Sequence, residues 1–70
     1  MTISYDPQAD ALYIKLKDGV FAENREALEG VVLDVGTDGD LLGIEILAAS
    51  QRYPDDVTQV RVNLNAVVPA

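Results

Sequence analysis

Polar and apolar residues alternate along this chain in short runs that break at Asp, Pro and Gly, the period of two expected of half-buried β-strands. Ile3 and Tyr5 alternate with Thr2 and Ser4; Leu12, Ile14 and Leu16 alternate with Tyr13, Lys15 and Lys17. Between the runs lies Asp6-Pro7-Gln8-Ala9-Asp10. Pro7 has no amide to give a ladder, and Asp6 can accept from amides two residues on. Residues 2–5 and 11–16 therefore read as one hairpin. A second signal is stronger, because the aliphatic runs 31–35 and 41–47 flank Gly36-Thr37-Asp38-Gly39-Asp40. In the latter run Leu42, Ile44 and Ile46 form one face, with Gly43 and Glu45 opposite. A glycine inside a strand sacrifices packing, so Gly43 is expected to relieve crowding or mark a bulge.

Three segments are less regular. Residues 20–29 contain good helix formers ahead of Gly30, yet Phe21, Glu23, Arg25 and Ala27 also alternate, and no N-cap precedes Phe21. An irregular to extended path is expected there, with one or two helical turns as the alternative. Residues 48–53 suit a short helix ended by Pro54. Val57, Val60, Val62 and Leu64 suggest a last strand, and 66–70 a frayed tail. The fold class is therefore mainly β or small α+β: one domain over 1–70, an antiparallel sheet of four to five strands built on two hairpins, and at most one short helix. Charged Lys15 and Lys17 would guard one sheet edge and Arg61 another.

Size sharpens this picture. Seventy residues bury only about 60% of their unfolded surface, and such domains usually add a disulfide, a metal or a partner subunit. The chain has no cysteine and no histidine, which removes disulfides, thiolate sites and the usual zinc sets. Self-association as a homodimer is the expected remedy. A net charge of −7 speaks against nucleic acid and anionic membranes as partners. Residues 21–49 hold seven acids against the single Arg25, so this stretch carries −6 of the total. That suits either a solvated face or a surface complementary to a basic partner. No apolar run reaches the length of a membrane span, and no export signal opens the chain, which favours the cytoplasm.

Candidate chemistry is sparse. Asp34, Asp38, Gly39 and Glu45 fall at positions 1, 5, 6 and 12 of a twelve-residue window, as in an EF-hand loop. Gly36 at the third position has no side-chain oxygen, and the flanks read as strands; Asp38-Gly39 is better explained as turn chemistry. Asp34, Asp38 and Asp40 remain weak cation candidates. Asp34 and Glu45, on adjacent strands, could form a carboxylate pair, but no base, nucleophile or phosphate loop accompanies them. No cofactor and no catalytic residue is expected. A contact surface would draw on Tyr13, Glu23, Glu26, Glu29 and Glu45, since tyrosine suits interfaces. Glu45, set between aliphatics, calls for a base: Lys15, Lys17, Arg61 or a partner's.

The combination Tyr5-Asp6-Pro7, Ala9-Asp10-Ala11-Leu12-Tyr13-Ile14, Leu33-Asp34, Asp38-Gly39 and Gly43-Ile44-Glu45-Ile46-Leu47 with Ala49-Ser50 resembles the small bacterial proteins grouped as domain of unknown function 2283. The resemblance spans residues 2–50. It implies a compact β-rich cytoplasmic domain and brings no established activity or site residues. Small acidic proteins of this kind sometimes accompany a toxin as its neutralising partner. The expectation is thus a non-enzymatic interaction module that self-associates and binds a basic protein. The alternative is a small-ligand or divalent-cation sensor built on the Asp34, Asp38 and Asp40 turn.

Overall fold

The computed structural model describes residues 1–65; the expected frayed tail, 66–70, lies outside them. Five strands form one sheet: β1 (Thr2–Asp6), β2 (Ala11–Lys15), β3 (Phe21–Leu28), β4 (Val31–Gly36) and β5 (Leu41–Leu47). A four-residue helix, α1 (Ala49–Arg52), follows. The order across the sheet is β1-β2-β5-β4-β3, with every pairing antiparallel. Both expected hairpins are present, and the sheet falls within the expected class.

Local chemistry sets the turns. Asp6 accepts from the amides of Gln8 and Ala9 at 3.0 and 3.3 Å, which bends the chain between β1 and β2. Gly39 takes a φ of +83°, and Asp38 accepts the Asp40 amide at 3.0 Å, closing the β4–β5 turn. The link from β2 to β3 must cross the ends of β5 and β4, because those strands separate them. It is held there by Leu16 and Lys17 amides on the Leu42 carbonyl, and by the Thr37 amide on the Val20 carbonyl. Leu42 is buried beneath this crossing, and a side chain at Gly19 would meet its methyls at 2.6 Å.

The register sorts the side chains onto two faces. Tyr5, Leu12, Ile46 and Val31 align across four strands, as do Ile3, Ile14, Ile44 and Leu33. These eight form an apolar face, and each is only half-buried. Among the described residues the buried hydrophobic ones are Val35, Leu42 and Ala49. The main element contacts are all between neighbouring strands, so among the described residues neither a helix nor a second sheet packs broadly on this face. A radius of gyration of 14.3 Å exceeds the roughly 11 Å of a compact chain of this length.

The extended path expected over 20–29 is realised as β3, which finds a partner in β4, and the helical alternative does not form. Two expectations need correction. The last strand expected over 57–64 does not form. Turns bonded from Asp56 to Tyr53 and from Gln59 to Asp56 carry the chain over the side chains of Ile3, Tyr5 and Leu12, not alongside an edge, so its apolar alternation has no ladder to join. Nor do Lys15 and Lys17 guard an edge. β2 lies inside the sheet, and the edges are β1 and β3.

Candidate functional site

The polar face is built around Gly43. On β5 it pairs with Lys15 of β2 on one side and with Asp34 of β4 on the other. The ring of Tyr13 lies over this gap, and its hydroxyl donates to Asp34 Oδ2 at 2.8 Å. A Cβ on Gly43 would stand 2.3 Å from the Tyr13 hydroxyl and 3.1 Å from the Ile14 carbonyl oxygen. Gly43 thus opens the strand surface for a ring that reaches diagonally to the strand beyond, which is the crowding relief its place in the sequence called for. The bond to Asp34 raises the Tyr13 pKa above the usual phenol range, with partial burial and the Asp34 and Glu45 charges adding to it. Tyr13 therefore stands as a proton donor, not a phenolate.

The same register brings carboxylates together. Tyr13, Glu45, Val32 and Glu26 form one row across β2, β5, β4 and β3, and Asp34 and Asn24 lie in the next. Among the described residues no ion pair includes Glu45; Lys15 pairs with Asp18 and Lys17 with Asp40, each at 2.6 Å. The expected Glu45 bridge to Lys15 or Lys17 is thus replaced by turn contacts within reach of each lysine, and Arg61 supplies no bridge either. These surface pairs lower the pKa of Asp18 and of Asp40 through the lysine bonds and raise that of Lys17. Being exposed, they add little to stability. Glu45→Gln should accordingly move stability by no more than about 0.5 kcal/mol in either direction. Denaturant titration checks this, and a loss of several times that amount would show that the charge has a structural partner.

Of the expected contact residues, Tyr13, Glu26 and Glu45 share this face. Glu23 does not: it stands on the opposite face of β3, paired with Arg25. Glu29 lies in the β3–β4 turn, where its backbone carbonyl accepts from Arg52. The weak cation candidates are not assembled into a ligand set, since among the described residues no group of three or more carboxylates converges. Asp34 is taken by Tyr13, Asp38 by the Asp40 amide, and Asp40 by Lys17 and the Leu41 amide.

A second cluster was not legible beforehand. Asp10, in the left-handed region at φ +50°, accepts from the Tyr5 hydroxyl at 2.7 Å, the Ser50 amide at 3.0 Å and the Ser50 hydroxyl at 2.8 Å. Its own carbonyl takes the Ala49 amide at 3.0 Å. Two amides of the first turn of α1 are thereby satisfied from forty residues away, in place of a local cap. The hydroxyl bond from Tyr5 leads the causes that lower the Asp10 pKa, and it raises that of Tyr5. Asp10 and Ser50 lie too far apart in sequence for any local pattern to couple them.

A single antiparallel sheet whose turns are fixed by aspartates, with one tyrosine–carboxylate bond on each face, defines the class as a small β-rich domain. The family profile described as a protein of unknown function, DUF2283, matches residues 2–50, and the chain belongs to that family. No curated protein and no solved structure matches it. The matched span contains all five strands, Tyr5, Asp10, Tyr13, Asp34, Gly43 and Ser50. It stops short of the segment that crosses Ile3 and Leu12.

Proposed function

We propose that this protein is a cytoplasmic, non-enzymatic interaction module that self-associates and binds a basic protein through the face bearing Tyr13, Glu26, Asp34 and Glu45. An antitoxin-like neutraliser is the concrete form. The observation that carries the reading is the placement on one face of three carboxylates, from three adjacent strands, beside a held tyrosine ring, with no base paired to Glu45 among the described residues. A cationic partner would find there both a negative field that speeds encounter and an aromatic surface to contact. The chain has neither histidine nor cysteine, so the commonest general base and the strongest nucleophile are missing.

The test is recovery of the tagged full chain from its own cells at low salt, beside a Glu26→Gln/Glu45→Gln variant. The expected result is one stoichiometric basic protein on the wild type, released by salt and lost from the variant. If both proteins retain the same companions, or neither retains any, the reading fails.

A further inference from the structure

We infer that two copies of this chain pack against each other through the apolar faces of their sheets, an inference that rests on the self-association proposed above and names its surface. The face consists of Ile3, Tyr5, Leu12, Ile14, Val31, Leu33, Ile44 and Ile46 by register, each half-buried within one chain. The described residues roof a corner of it. Residues 57–60 lie over β1 and β2 and leave a groove of about 470 Å³ lined by Ile3, Tyr5, Leu12, Val57 and Val60. Over β5 and β4 no element of the described residues packs broadly.

Area and charge select a second copy as the occupant. The four strands that carry it, about 4.8 Å apart and each about five paired residues long at roughly 3.3 Å per residue, give a face of roughly 19 by 17 Å, one corner of it under residues 57–60. Two such faces in contact bury up to about 1,000 Å² once side-chain relief is counted, the size at which specific interfaces begin. A chain of net charge −7 would repel its twin if acids met. Here Glu26, Asp34 and Glu45 stand on the opposite face, so these three acids of each copy point away from the contact. At the apolar rim, Glu23 and Arg25 neutralise each other. The result is a two-fold sandwich with sheets about 10 Å apart and an acidic face on each outer side.

The chain has no cysteine, so a single introduced thiol reports on one face alone. The mass of the wild type in solution is measured first, at low and high salt. Leu33→Cys on the apolar face and Val32→Cys on the polar face are then titrated with a thiol reagent before and after dilution. The expected outcome is twice the chain mass, retained at high salt where a basic partner would be lost. Leu33→Cys should react about tenfold faster on dilution below the dimer constant, while Val32→Cys should not change. A Leu33→Cys protein that is folded but monomeric beside a dimeric Val32→Cys supports the same surface. If Leu33→Cys does not fold, Ile46→Cys, on the same face, takes its place. A dimer whose apolar-face thiol reacts alike at every dilution overturns this surface and leaves self-association standing. A monomer at every concentration overturns both.

Discussion

Replacing Gly43 by alanine is expected to destabilise the protein by about 1–3 kcal/mol, the usual range for forcing an extra methyl into a filled site. In a domain of this size that lowers the thermal midpoint by roughly 7–20 °C. Two effects compete. Alanine in a strand interior is ordinarily better than glycine by about 0.5–1 kcal/mol, because it restricts the unfolded chain more. Against this, the new Cβ would lie 2.3 Å from the Tyr13 hydroxyl and 2.8 Å from its Cζ, distances no packed carbon tolerates. The ring can swing away only by giving up its bond to Asp34. The Ile14 carbonyl, at 3.1 Å, belongs to the backbone and cannot follow. The clash should therefore win. With Tyr13→Ala already present, the crowding is mostly gone, and adding Gly43→Ala should be close to neutral. Denaturant unfolding of the four proteins gives the coupling directly. If Gly43→Ala costs as much without the ring as with it, the ring does not explain the glycine.

The second large effect is expected from Asp10→Ala, with a fall in thermal midpoint on the order of 10 °C from the lost hydrogen bonds. This change leaves the Tyr5 hydroxyl and the Ser50 amide without their acceptor, and it places alanine at φ +50°. Asp10→Asn keeps one acceptor and tolerates that backbone, so it should fall between the two. The pH dependence follows from the direction of the shifts. Asp10 has a lowered pKa in the folded protein, so its contribution is present above the ordinary aspartate value and is lost as pH falls through the lowered one. Tyr5 and Tyr13 are raised, so theirs is present below the ordinary phenol value and is lost as pH rises through the raised ones. Stability should thus hold a plateau between about pH 4 and pH 10 on this account. The gap between wild type and Asp10→Ala should narrow at the acid end, leaving the part due to alanine at φ +50°. Melts from pH 2 to 7 check this, and a gap that persists unchanged at pH 2 would exclude the Asp10 carboxylate as its source.

What the sequence by itself determined was local. Period-two alternation marked β1 and β2, aliphatic runs marked β4 and β5, and Asp6-Pro7 and Asp38-Gly39 marked the two turns, because strand faces and turn dihedrals depend on neighbours a few residues apart. Gly43 was readable as relief of crowding, though not as room for Tyr13 in particular, since that ring comes from thirty residues earlier. Only the tertiary structure decided the rest. β3 became a strand because β4 offered a ladder, and 57–64, with an equally good pattern, did not because the chain leaves α1 across the sheet and not along its edge. Insertion of β5 between β2 and β4 placed Tyr13 beside Asp34 and aligned Glu45 with Glu26, while the return of α1 to the first hairpin joined Asp10 to Ser50. Contacts between distant residues depend on strand order, and strand order depends on which edges meet in space; no run of neighbouring residues encodes that.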